Sequence, residues 1–218
     1  MLEIIEQGGP VMIPLLLCSL VSLTIILERS IFWVLIDLRR GAQLAEQVLE
    51  SCRRGEWDAV RGQAAGTRNR IVAMLVKGVV HRDYAPSKAM ESAATDEINK
   101  MRRYMGILDT IITVAPLLGI LGTVLGTIQS FDMLGTGGLD HPQAVTRGIA
   151  QALITTAAGL GIAIFTVFAF NIFNAKIENA AFMLESYATR LEIVLEKAAV
   201  DCAPRERNGD ETRIAGAA

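Results

Sequence analysis

Ionisable side chains are bunched along this chain, and the gaps between the bunches are long. Residues 7–27, 110–131 and 148–175 contain no Asp, Glu, Lys or Arg. A hydrocarbon core of about 30 Å takes roughly 20 helical residues to cross, so each gap predicts one transmembrane helix. Pro10 suits the first turn of the first helix, and Pro14 predicts a mild kink, since proline removes one backbone hydrogen bond. The segments between the gaps follow a helical period instead. Leu44, Val48 and Leu49 share one face, and Arg53-Arg54-Gly55 reads as a stop. Trp57 and Val60 open a second short helix, and Ile71, Leu75, Val76 and Val79 repeat at helical spacing. Pro86 suits a helix start. From there residues 87–105 run toward the second span, with Gly106 a weak interruption. Beyond the third span, Ile177, Leu184, Leu191 and Leu195, with Ala180, Ala188 and Val194, form an apolar stripe among Glu178, Glu185, Glu192 and Lys197. Such a stripe needs a cover. The expected cover is the 87–105 helix or a neighbouring subunit.

The predicted fold is an all-α membrane protein with three transmembrane helices. Residues 1–33 hold an N-terminal segment and the first helix, 34–105 a helical loop, and 106–132 the second helix. Residues 133–146 form a short loop with the turn chemistry of Gly135, Gly137, Gly138 and Pro142. The third helix takes 147–173, an amphipathic helix 174–203, and a polar tail expected to be disordered 204–218.

Composition looks contradictory until this segregation is seen: 51% of the 218 residues are hydrophobic, yet 20% are charged. It argues against a simple soluble enzyme and a secreted disulfide scaffold, and a net charge of −2 gives no reason to expect nucleic acid. Lysine and arginine set the orientation. None precedes the first span, thirteen lie between Val34 and Met105, none lies between Asp132 and Thr146, and six follow Asn174. The N-terminus is therefore expected outside, with a cytoplasmic loop and a cytoplasmic C-terminus. The first span has no basic residue before it and no small-residue cleavage pattern after it, so it reads as a retained helix rather than a signal peptide. Glu28-Arg29 at its inner end reads as an interface anchor or a contact to a partner subunit. Trp33 and Tyr104 fit an interfacial aromatic belt.

The second span places Gly119, Thr123, Gly126 and Ser130 on one small-residue face, and Gly122 and Gly126 form a GxxxG pair. In lipid, small residues let helix backbones approach closely, so plain packing is one reading. Thr123 and Thr127, with Gln151, Thr155 and Thr156 of the third span, invite a second reading as the wall of a proton pathway, although threonine also bonds back to its own helix. Pro116 frees the carbonyl of Ile112, a break tolerated where neighbours or water satisfy it. In the third span Gln151 and Thr155 share a face, and Thr156, Gly159, Ala163 and Thr166 line an adjacent one. Phe165, Phe168, Phe170 and Phe173 are expected to face lipid. Gln151 fits either an interhelical hydrogen bond or a polar wall around a channel or another protein's helix. No span carries a carboxylate, lysine or histidine at its middle, although an ionisable residue there is the usual mark of a proton relay. A partner helix is therefore expected to supply the carboxylate. His81 and His141 fall in loops, and Cys18, Cys52 and Cys202 form neither a metal pattern nor a disulfide framework. No nucleophile–base pair or phosphate loop appears, so neither enzymatic activity nor a cofactor is expected. A scaffold without ion flux stays open at this point.

The run from Ala115 to Gly126, APLLGILGTVLG, resembles the signature of the MotA/TolQ/ExbB proton-channel family, as does GIAQALITTAAGL from Gly148 to Leu160, followed by Asn171. The opening Gly8-Gly-Pro-Val-Met-Ile-Pro and Glu28-Arg29 resemble the ExbB/TolQ branch, and the likeness runs from about Gly8 to about Val200. The resemblance implies a homopentamer in the bacterial inner membrane. Its pore would be lined by spans two and three around ExbD/TolR-like single-span partners carrying a membrane Asp. It also implies a driven protein such as a TonB-like one, or a TolQ-like role in envelope integrity or motility. Thr123 and Thr156 match the family's pore threonines, and Gln151 falls where many members have Glu.

Overall fold

The computed structural model describes residues 9–35, 38–63, 69–137 and 142–202. Among the described residues seven helices follow in order: α1 Met12–Leu35, α2 Leu38–Arg53, α3 Trp57–Gln63, α4 Arg70–Val80, α5 Pro86–Arg102, α6 Met105–Gly137 and α7 Pro142–Cys202. There is no strand among the described residues. Among the described residues three helices are long and apolar enough to cross a membrane, one in each of the three charge-free regions. The chain is an all-α membrane protein. The proposed tail 204–218, the N-terminal residues 1–8 and His141 lie outside the described residues.

The chain divides into two compact units, one of residues 1–36 and 101–178, the other of residues 37–100 and 179–218. The first holds α1, α6 and most of α7. Met12 and Leu15 of α1, with Val11 just before it, pack on Ile111 and Ala115 of α6, with Leu118, Ala158 and Ile162 at the edge of the cluster. Ile13, Leu17, Leu20 and Leu27 of α1 and Phe165 and Phe168 of α7 remain more than half exposed, as suits contact with lipid or other subunits. Phe173 does not join them: it is buried, at 5% exposure. It lies seven residues after Thr166, itself fully buried, so the two share a stripe that turns inward.

In the second unit the apolar stripe of α7 finds its cover within the chain. Leu184, Tyr187 and Leu191 pack with Val48 and Leu49 of α2, Met74, Leu75 and Val79 of α4, and Met90 and Ala93 of α5. Leu44 was expected in this face but is exposed, while Ala45 and Cys52 take its place. The reason is spacing: Ala45, Val48, Leu49 and Cys52 form the i, i+3, i+4, i+7 series, and Leu44 falls off it. Burial pushes the Cys52 thiol up to about 11, so it is an inert core group. Asn69 caps α4 by accepting from the backbone of Ile71 at 3.0 Å and Val72 at 3.4 Å. Gly55, at φ +75°, makes the turn after α2 that the sequence predicts.

Tyr187 donates to Ala42 O at 3.2 Å, and Arg190 donates to Glu46 Oε2 at 2.8 Å. The hydrogen bond from Arg190 holds the Glu46 carboxyl below the usual carboxylate range, while burial pushes the other way. A depressed native value means this stabilisation is present above the ordinary glutamate value of about 4.3 and fades as pH falls through the native one. The pair is part exposed and contributes under about 1 kcal/mol. Glu46→Gln is therefore expected to flatten the acid limb of the second unit's thermal melts, and to leave melts at neutral pH within a few degrees of the parent.

Two boundaries differ from the sequence pattern. The break between α5 and α6 falls at Arg103-Tyr104, where Tyr104 adopts φ 66°, and Gly106 sits inside α6. The left-handed tyrosine is held by its ring, which lies under Arg103 at 4.6 Å and Arg29 at 5.7 Å. At the other end, α6 continues to Gly137 and α7 starts at Pro142, so helix takes most of the predicted 133–146 loop. Proline suits a first helical position because its missing N–H would be unpaired there.

Candidate functional site

Helices α6 and α7 form an antiparallel hairpin with a glycine seam. A Cβ on Gly119 would lie 3.0 Å from Thr156 Cα and 3.1 Å from Thr155 O. One on Gly159 would lie 2.5 Å from Ala115 O and 3.2 Å from Gly119 Cα. Here backbone meets backbone, which only glycine allows. Gly122 faces the Thr155 side chain, and Gly126 faces Ala152 and the Gly148 carbonyl. The tightest approach is thus Gly119–Gly159, and the GxxxG pair Gly122/Gly126 is the softer part of the seam. Pro116 sits inside α6 one turn before Gly119.

The seam sorts the predicted polar residues. Thr155 is fully buried between the helices, its Oγ1 donating to Ala152 O at 2.8 Å. Thr156, half-buried, donates across the hairpin to Gly119 O at 2.8 Å. Thr123 donates to Ile120 O at 2.6 Å, and Thr127, exposed, donates to Thr123 O at 2.7 Å. Gln151 points elsewhere: its amide lies against Gly9, just before α1. It shares a stripe with Ala158 and Ile162, seven and eleven residues on, which face the α1 cluster. Thr156, two residues before Ala158, lies about 200° around the helix from it. The hairpin therefore has two faces. One carries Gln151 and is covered by α1; the other carries Thr156, Thr123 and Thr127. The five predicted wall residues do not form one surface.

Gly9 is left-handed, at φ +68°, and a Cβ there would collide with the Gln151 amide. Gly9→Ala is expected to lower thermal stability by about 1–2 kcal/mol from the left-handed backbone, with the cost of the collision added to that. Gln151→Ala in the same chain should relieve the collision and recover only part of the loss, read by thermal melts in detergent.

Arg29 is a structural knot at the far end of α1. It is 2% exposed, donates to Glu28 Oε1 at 2.7 Å and to Met101 O at 3.3 Å, and lies 4.3 Å from the centre of the Phe32 ring. Trp33 beside it is also buried, with Lys176 5.6 Å from its ring centre. Sequence reasoning placed Arg29 at an interface but had no signal for the distant carbonyl it binds. It also gave Ser130 only a place on the small-residue face. Ser130 is 2% exposed, donates to Gly126 O at 2.8 Å and faces Gly148.

These features define a three-span helical membrane protein whose second and third spans close into a tight hairpin with a hydroxyl-lined face. The chain belongs to the MotA/TolQ/ExbB proton channel family, whose sequence profile matches residues 66–186. It is 32% identical over 195 residues to the biopolymer transport protein ExbB-like 3 of Synechocystis sp., covering 87% of this chain and 92% of that protein. It is 28% identical to the biopolymer transport protein ExbB of Xanthomonas campestris pv. campestris, covering 71% of each. It is 34% identical over 111 residues to the Tol-Pal system protein TolQ of Pseudomonas aeruginosa, covering 51% of this chain and 48% of that protein. The chain is an ExbB/TolQ-like proton-channel subunit.

Proposed function

We propose that this chain is the pore-forming subunit of a proton-driven motor in a bacterial inner membrane. It does no enzymatic chemistry. Several copies, five by the family resemblance, surround the single transmembrane helices of ExbD/TolR-like partners. The N-terminus lies outside, and the second compact unit lies in the cytoplasm with the excess of basic residues. Proton flow powers an envelope process such as TonB-dependent outer-membrane transport, as the family resemblance implies. A TolQ-like role is the second reading, favoured by the likeness to the Pseudomonas TolQ.

The observation that carries this is the hairpin face away from α1. It offers the hydroxyls of Thr123, Thr127 and Thr156, and α6 has no ionisable group between Asp109 and Asp132. A hydroxyl has one proton to donate and two lone pairs to accept with. All three protons are committed to backbone carbonyls. Toward the lumen these side chains can only accept. An accepting wall binds a protonated carboxylic acid and disfavours a carboxylate, because hydrogen bonding to the neutral form raises the acid's pKa. The wall therefore suits a partner Asp that crosses the membrane in its neutral form. Each proton moved across 100 mV releases about 2.3 kcal/mol, so a few per cycle suffice for conformational work.

The test is purification from native membranes followed by flux in liposomes. A single-span protein with an intramembrane Asp should co-purify, and proton flux should require both proteins. A chain that purifies without a second transmembrane protein, or conducts protons alone, contradicts the proposal.

A further inference from the structure

The hydroxyl face of α6 does not stop at Thr123. Thr113 and Asp109 continue it toward the start of the helix. Asp109 stands 18 residues before Thr127, about five whole turns, so the two lie on one line, and Thr113 and Thr123 fall within about 40° of it. Leu118, nine residues after Asp109, lies about 180° around the helix and packs at the α1 cluster. Asp109 is therefore on the face turned away from α1, the face that carries Thr123, Thr127 and Thr156. It is exposed, as is Thr113, whose Oγ1 donates to the Asp109 backbone O at 3.2 Å. The Asp109 carboxylate has no ion pair or hydrogen bond among the described residues. Asp109 and Asp132 are the two ionisable residues of α6, and Asp132 falls about 140° off the Asp109 line, at the other end of the span.

The hydroxyl wall alone leaves a proton with nowhere to go. Its own protons are committed to backbone carbonyls, so it holds a partner acid in the neutral form and cannot take the proton from it. Release needs a base where the wall meets water. We infer that Asp109 is that base: it takes the proton from the partner's carboxylic acid at the inner end of the hydroxyl face and hands it to cytoplasmic water. The site lies about 21 Å along α6 from Thr123, on the cytoplasmic side of the span. Two carboxylates brought together hold one proton between them, because like charge disfavours the doubly ionised pair. The proton leaves the partner's oxygen, which becomes a carboxylate, and bonds to an Asp109 oxygen. Asp109 then loses it to water, which becomes hydronium, and the aspartate is restored. The inference rests on the proton-motor reading above and adds the group of this chain that carries the proton out of the membrane.

The experiment is proton flux in liposomes holding this chain with the single-span protein that co-purifies from native membranes, read by a trapped pH dye. Asp109→Asn keeps the shape and removes the base, and should cut flux by about tenfold or more. Asp109→Glu keeps the base and should conduct well above the asparagine variant. Both should melt within a few degrees of the parent, since the carboxylate makes no contact that the fold uses. Raising phosphate, an impermeant proton carrier, on both sides should restore part of the flux of Asp109→Asn and leave the parent unchanged. A misfolded hairpin would not respond to buffer. Parent-like flux in Asp109→Asn overturns the inference, as does a glutamate variant no better than the asparagine one. So does a loss of flux that follows a lowered melting temperature and ignores phosphate. A parent complex that conducts while Asp109→Asn conducts equally fails this inference alone, whereas a parent complex that passes no protons fails the proposed function as well.

Discussion

Gly159→Ala is expected to destabilise the protein by about 2–3 kcal/mol, and Gly159→Leu to leave no correctly folded hairpin. A methyl at Gly159 would meet Ala115 O at 2.5 Å and Gly119 N and Cα at 3.2 Å. All three are backbone atoms, so no rotamer change relieves the clash and the helices themselves must part. That separation also stretches the Thr156-to-Gly119 hydrogen bond. The control lies two residues away. A methyl at Gly161 meets nothing within 4 Å, so Gly161→Ala should melt at or slightly above the parent temperature. Gly122→Ala should fall between the two, because its neighbour is the Thr155 side chain. Thermal melts in one detergent read all three. Equal losses at 159 and 161 would mean that helix propensity, not close approach, sets the effect.

The second large effect is at Arg29. Replacing it with leucine keeps most of the bulk but removes the donors to Glu28 and Met101 O and the charge over Phe32. Breaking a fully buried ion pair costs about 3–5 kcal/mol, but Glu28 is 46% exposed and water can take over its side. The expected loss is therefore nearer about 2 kcal/mol. Arg29→Lys should recover only part of it, since an ammonium carries its donors on one atom and lacks the planar set of nitrogens that grips Glu28 twice while a third reaches Met101 O. Chemical denaturation of the solubilised protein measures both. A lysine variant as stable as the parent would reduce Arg29 to a simple interfacial charge.

The span count was legible in the sequence because charge excluded from lipid leaves long, unambiguous gaps. The seam was half legible: the small residues of α6 and α7 were plain, but only the fold ranks Gly119–Gly159 above Gly122/Gly126. Gln151 shows where periodicity stops. Spacing put Gln151 beside Thr155 correctly, yet it could not say which side of the hairpin α1 would cover. That is decided by Val11, Met12 and Leu15 meeting Ile111 and Ala115, more than ninety residues away. The break at Tyr104 was hidden for a similar reason. Nothing local marks a tyrosine for a left-handed backbone, and the cations that hold its ring come from Arg103 and the distant Arg29.

The account rests on the hydroxyl face being the proton-facing wall and on Gln151 standing behind it. Proton flux into liposomes holding this chain and its single-span partner tests that directly. Thr123→Val/Thr156→Val removes two accepting hydroxyls worth about 0.5–1.5 kcal/mol each and should cut flux by about tenfold or more. Thr156→Ser keeps its hydroxyl and should conduct at close to the parent rate. Gln151→Leu, on the α1 side, should leave flux within about twofold if the protein folds. Full flux in the double valine variant, with flux lost in Gln151→Leu, would contradict the account and place the proton path on the opposite face of the hairpin.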